Sequence, residues 1–127
     1  MKENKIVVEV NRPVSKVFEF TINPRNTHLW INSLVQEETN EYPIRVGTEY
    51  KNLNKQGKWT EYKVVQFEEN KVFHMKQKNS SYNVRYIYEP ISDNRTKLTY
   101  FEWVGEGELE QPFSLTFLEK LKRLIET

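Results

Sequence analysis

Residues 58–103 read KWTEYKVVQFEENKVFHMKQKNSSYNVRYIYEPISDNRTKLTYFEW, and this stretch decides the fold. Runs of β-branched and aromatic residues alternate with charged ones, the pattern of half-buried strands. The runs are cut at Glu69-Asn70, Asn79-Ser80-Ser81 and Ser92-Asp93-Asn94, where turn-forming residues cluster. Strands are therefore expected over Lys58–Phe67, Val72–Lys78, Tyr82–Glu89 and Thr96–Trp103. Their connections are too short for crossovers, so successive strands pair antiparallel.

Alternation then assigns faces. Glu61 and Lys63 share a wet side, which turns Tyr62 and Val64 inward. His74, Lys76 and Lys78 are read as wet, with Phe73 and Met75 inward. Asn83, Arg85 and Glu89 are wet on the next strand, leaving Tyr82, Val84, Tyr86 and Tyr88 inward. The last strand stays undecided, because Leu98 and Tyr100 oppose Phe101 and Trp103. One face of the sheet thus collects tyrosines.

Working outward, Ser33–Thr39 and Gly47–Leu53 read as two more strands, separated by Tyr42-Pro43 and followed by the turn Asn54-Lys55-Gln56-Gly57. Lys5–Val10 is a β-branched run and opens the sheet. Pro13 fits a first helical position, and Val14, Val17 and Phe18 follow on one stripe. Asn23-Pro24 predicts a second short helix towards His28-Leu29-Trp30. Gly105-Glu106-Gly107 ends the strands, and Glu110–Thr127 reads as a terminal amphipathic helix carrying Phe113, Phe117, Leu121, Leu124 and Ile125.

Composition narrows the function. At 127 residues the chain has the length of one domain, expected over 1–127, with enough surface to bury a real core. Zero cysteines exclude disulfides, thiolate metal sites and a cysteine nucleophile. A formal net charge of +1 offers no bulk field to a nucleic acid or an anionic membrane. No apolar run approaches the length of a membrane span, and the N-terminal residues lead straight into a strand, so a cytoplasmic location is expected. Seven Tyr, seven Phe and three Trp stand beside no alanine at all, so the interior must be filled largely by rings.

The order strand, two short helices, six antiparallel strands and long C-terminal helix is that of the helix-grip fold. The sequence resembles the START-like (SRPBCC, Bet v 1-like) superfamily, nearest its polyketide cyclase/dehydrase and lipid-transport-like branch. The residues that carry the resemblance are Pro13 to Phe20, Asn23-Pro24, Trp30, Val46 to Tyr50, Tyr62 to Glu68 and Thr96 to Tyr100. It spans nearly the whole chain, with two departures: Glu69-Asn70 stands where the family often has proline, and the last helix is somewhat short. The resemblance implies an α+β fold in which a curved seven-stranded antiparallel sheet wraps a C-terminal helix and holds an apolar ligand between them. The same fold serves lipid carriers, hormone receptors, ring cyclases and chaperone activators, so fold alone does not name the function.

Catalytic motifs are sparse. His28 and His74 are far apart and lack metal-ligand spacing, so no metal or cofactor is expected. Gly105 and Gly107 lack the third glycine of a dinucleotide loop, and no serine sits in a nucleophile elbow. Lys76, Lys78, Arg85, Lys120, Lys122 and Arg123 are read as a solvated face rather than a nucleic-acid surface. Glu102 follows Tyr100 at the parity of the inward face. Such a desolvated carboxylate can act as general base on a carbonyl compound, or simply reach water at the strand end.

The expected function is non-catalytic binding or carriage of a small hydrophobic molecule, a lipid or an aromatic, polyketide-like compound. Trp30, Tyr50, Tyr62, Tyr86, Tyr100 and Phe117 are the candidate lining. One alternative is a cyclase- or dehydratase-type enzyme using Glu102. Another is a protein-interaction module of the same fold, which exposed Trp59 or Trp103 would favour.

Overall fold

The computed structural model describes residues 2–127. β1 (Glu3–Val10) leads into α1 (Val14–Ile22), and a single-turn 3-10 helix follows over Thr27–Leu29. β2 (Leu34–Thr39), β3 (Glu49–Asn54), β4 (Trp59–Glu68), β5 (Val72–Gln77), β6 (Tyr82–Ser92) and β7 (Arg95–Val104) come next, and α2 (Leu115–Glu126) closes the chain. The strands form one antiparallel seven-stranded sheet in the order β1-β7-β6-β5-β4-β3-β2. The expected α+β architecture, a curved sheet with a C-terminal helix against it, is the one observed. No described helix is long and apolar enough to cross a membrane.

Turn chemistry sets the hairpins. Asn70 and Asn79 adopt left-handed φ angles of 62° and 58° at the β4–β5 and β5–β6 turns, a conformation asparagine tolerates better than most residues. Gly57 takes φ 81° in the β3–β4 turn, where the Asn54 side chain accepts the backbone N–H groups of Gln56 and Lys58. The undecided face of β7 is resolved by packing. Leu98, Tyr100 and Glu102 point into the concave side and are buried, and Phe101 and Trp103 lie half-buried on the convex side.

Three expectations need correction. Pro13 is the residue that caps α1, one position before the first helical residue. His74 is buried rather than wet: it sits on the convex face, but the Trp103 ring lies 5.1 Å from it and Asn83 Oδ1 hydrogen-bonds its Nε2 at 2.9 Å. The last helix begins at Leu115, not Glu110, because Pro112 disfavours helical backbone at Gln111 and Ser114 takes the capping place. Residues 105–114 therefore cross the end of the sheet as an extended segment. Gly107, at φ 82°, supplies a bend that a side chain would strain.

α2 buries Leu118, Leu121 and Ile125 and packs on β1 and α1, at one edge of the sheet. At the opposite end of the concavity α1 closes the fold: Phe18 meets Phe67 and Tyr88, and Thr21 Oγ1 hydrogen-bonds the Tyr88 hydroxyl at 2.6 Å. Near the other end a single carboxyl ties three elements together. Glu102 Oε2 accepts from Asn4 Nδ2 at 2.9 Å and from the Phe113 backbone N–H at 2.8 Å, and Glu102 Oε1 accepts from the Tyr82 hydroxyl at 2.7 Å.

This tie is testable. Glu102→Ala removes the acceptor of the Tyr82 hydroxyl and the Phe113 N–H, leaving Asn4 Nδ2 only the Phe113 carbonyl, so urea denaturation is expected to show a loss of about 3 kcal/mol. A loss under about 0.5 kcal/mol, within the range of ordinary surface substitutions, would mean that other contacts hold the segment before α2.

Candidate functional site

A cavity of about 790 Å³ lies between the concave face of the sheet and the segment that precedes α2. That is within the roughly 300–1,000 Å³ of small-molecule sites. Its mouth is built from elements that antiparallel topology gathers at one end of the sheet. These are Ile31 and Ser33 before β2, Gln56 and Lys58 in the β3–β4 turn, Ser80 and Ser81 in the β5–β6 turn, and Glu106–Gln111 after β7. Away from the mouth, Thr21 of α1, Phe73, Tyr86 and Tyr50 also line the cavity. The Tyr50 hydroxyl is spent on the Ile22 carbonyl, to which it donates at 2.5 Å.

Of the expected lining, Tyr50, Tyr62, Tyr86 and Tyr100 stand at the cavity wall, and Trp30 and Phe117 do not. Phe113 explains the exclusion. Its ring stacks on Tyr100 at 5.0 Å, meets Trp30 edge-on at 5.9 Å and touches Phe117 at 5.3 Å. It therefore screens Trp30 and Phe117 from the space and lines the cavity in their place. Trp30 is fully buried core.

The tyrosines differ in what their hydroxyls do. Tyr82 donates to Glu102 and receives a hydrogen bond from Tyr100. Tyr62 bonds Asn52, and its ring lies 6.4 Å from that of Tyr82. Tyr86 is 5% exposed, stacks on Phe73 at 5.6 Å, and has no hydrogen-bond partner for its hydroxyl among the described residues. Burial pushes all of these phenols up, Tyr62 to about 12, so they stay protonated donors at neutral pH.

Sequence reasoning passed over Glu37. Its Oε1 accepts from Thr27 Oγ1 at 2.6 Å, and Asn52, its cross-strand partner on β3, hydrogen-bonds the same carboxyl. Burial against the cavity wall outweighs both bonds and pushes the Glu37 carboxyl up to about 7. No lysine or arginine pairs with it among the described residues. Simple alternation does not place Leu34 and Glu37 on one face. A β-bulge between Leu34 and Gln36 shifts the register, and both residues line the cavity.

Glu102 also lines the cavity, but both its oxygens are occupied by the three donors named above, an arrangement suited to holding structure. Of the tryptophans proposed for a protein interface, Trp59 is exposed under the Lys51 ammonium, which lies 4.8 Å from its ring. Trp103 is half-buried beneath Phe101, His74 and the Arg85 guanidinium. Among the described residues no His, Asp and Glu group is arranged to hold a metal ion.

This architecture is shared with solved structures at low sequence identity. A conserved protein of unknown function from Enterococcus faecalis superposes with a TM-score of 0.77 at 13% identity, over 98% of this chain and 71% of its own. The Aha1 dimer protein from Colwellia psychrerythraea gives 0.69 at 13%, over 99% and 97%. The di-domain ARO/CYC BexL of the BE-7585A biosynthetic pathway gives 0.66 at 14%, over 82% of this chain but 36% of its own. No curated protein matches the sequence. These likenesses establish the fold, and the family model for polyketide cyclase / dehydrase and lipid transport matches residues 2–126. The chain belongs to that polyketide cyclase / dehydrase and lipid transport family.

Proposed function

We propose that the protein binds a small, ring-bearing hydrophobic molecule in the cavity between the sheet and the segment that precedes α2, without transforming it. The observation that carries this reading is the cavity itself: about 790 Å³ walled by Phe73, Tyr62, Tyr86, Tyr100 and Phe113. These rings brace one another, Phe73 on Tyr86 and Tyr100 on Phe113, so they cannot swing in to close the space. A flat aromatic ligand gains contact with surfaces that are already in place, and ordering costs little. The hydroxyl of Tyr86 supplies an orienting donor.

A second reading, a cyclase- or dehydratase-type enzyme, is favoured by one observation. Glu37 has a carboxyl poised near neutrality beside a tyrosine-lined space, the property a general base for enolate chemistry needs. Glu37, rather than the tied Glu102, is then the base. Turnover of a poly-β-ketone substrate that disappears in Glu37→Gln would favour this reading over simple carriage.

Two outcomes are expected. Naphthylmethanol, at a concentration a hundred times its dissociation constant, stabilises the folded state by about 2.7 kcal/mol. That corresponds to roughly 8–13 °C in melting temperature for a chain of this length. Val84→Phe places a ring in the cavity, and it should abolish the shift while preserving the fold. A shift that survives this substitution unchanged would locate binding elsewhere.

The second concerns pH. Glu37 holds its proton more tightly when folded, so the folded state loses stability as pH rises from about 4.5 to about 7. Glu37→Gln relieves this penalty. Its melting temperature should exceed that of the wild type at about pH 8 and approach it at about pH 5. A difference that does not grow with pH would contradict the burial of this carboxyl.

A further inference from the structure

The charges around the cavity are one-sided. Glu37, Glu102, Glu106 and Glu110 line it or its mouth, and Lys58, exposed on the β3–β4 turn, is the lone cation among the lining residues described; Glu108 lines it too, but positive charge beside it already holds its carboxyl low. The whole chain carries a formal net charge of +1, so the imbalance is local and not a reflection of composition. Glu102 is consumed by its three donors. Glu37 keeps only the uncharged Thr27 and Asn52 as hydrogen-bond partners.

Three rings stand in electrostatic reach of Glu37: Tyr50, Tyr62 and Tyr86. They come from β3, β4 and β6 and line the same cavity as Glu37, with Tyr82, Tyr100 and Glu102 the other ionisable groups of its inner wall. His28, on the single-turn helix that also carries Thr27, is exposed at the surface. The faces of phenol rings attract cations, and carboxylates in desolvated places gain most from a cation brought alongside. Tyr86, 5% exposed, is independent of the acidic residues and turns a hydroxyl without a partner among the described residues to the same cavity, where it can meet a polar group of a ligand.

We infer that Glu37, with the rings of Tyr50, Tyr62 and Tyr86, forms a subsite for the ammonium group of an aromatic amine, and that the cavity discriminates against carboxylates such as fatty acids. The inference rests on the reading that the cavity binds ring-bearing ligands and specifies which ones. A carboxylate entering the space would lie near Glu37 and Glu102 with no buried cation to receive it, a cost set by both desolvation and like charge. An ammonium ion meets the reverse situation. Because burial holds Glu37 near the middle of its titration at neutral pH, seating a cation releases a proton.

The test uses three probes of one shape: naphthylmethylamine, naphthylmethanol and naphthoate, titrated calorimetrically into the full chain. At about pH 8 the amine is expected to bind at least about ten-fold tighter than naphthoate, with the alcohol between them. The preference of amine over alcohol shrinks as pH falls towards about 5, where Glu37 is protonated. At about pH 7 the wild type releases about half a proton per amine bound, read from two buffers of different ionisation enthalpy. Glu37→Gln brings the amine-to-alcohol ratio towards one, and Glu38→Gln, whose carboxylate pairs with Lys51 rather than lining the cavity, leaves that ratio high.

Naphthoate binding as tightly as the amine, or an amine preference that survives Glu37→Gln, would overturn the ammonium subsite while leaving hydrophobic binding intact. Failure of all three probes to bind would overturn both.

Discussion

A twelve-residue helix cannot cover an eleven-residue strand. α2 spans about 18 Å at the helical rise per residue, whereas β6 runs about 36 Å at the extended rise. α2 moreover packs on β1 and α1 at the edge of the sheet. The mouth end of the concave face is left to an extended segment, held by the Phe113 N–H on Glu102 and by the stacking of Phe113 over Tyr100. The cavity follows from this mismatch of lengths and from the stiffness of the rings that surround it. Flexible aliphatic side chains would have collapsed into part of the space. Braced phenols and phenyls hold it open, and they do so at the cost of leaving groups such as the Tyr86 hydroxyl without a protein partner.

The two carboxyls of the cavity wall show how environment separates roles within one space. Glu102 sits among donors from β1, β6 and the segment before α2, and its position fixes the geometry of the mouth. Glu37 has two uncharged partners and a wall of rings, so burial governs its titration. A carboxyl saturated by structure offers little to a ligand; one that is desolvated and underserved offers a great deal. In the proposed function, recognition of the ligand therefore falls to the second residue.

Most of the fold was legible because strand periodicity and turn chemistry agree at nearly every boundary. Asn70, Asn79 and Gly57 mark hairpins, and tyrosine parity on β6 names the concave face correctly. The site was legible only in part. Tyr62 and Tyr86 follow from alternation, which leaves Tyr100 undecided until packing settles the face of β7. Glu37 does not, because a bulge in β2 breaks the parity on which such reasoning depends, and nothing in Leu34 to Thr39 announces a bulge. Trp30 and Phe117, expected in the lining, lie behind Phe113, which sits before the helix and not on it. Pro112 carried the signal that the helix starts later, and with it the release of Phe113 to act as a screen. The burial of His74 depends on the rings and amide of two neighbouring strands, which no local pattern encodes.

The central claim is that an aromatic ligand enters the space between the sheet and the segment before α2 rather than resting on an outer surface. The most direct measurement is isotope-filtered NMR of the labelled protein with naphthylmethanol bound. Intermolecular NOEs to the Met75 and Val84 methyl groups and to the rings of Tyr86 and Phe113, all residues of the cavity wall, are the predicted result. NOEs confined to Trp59, or to Phe101 and Trp103 on the convex face, would contradict it.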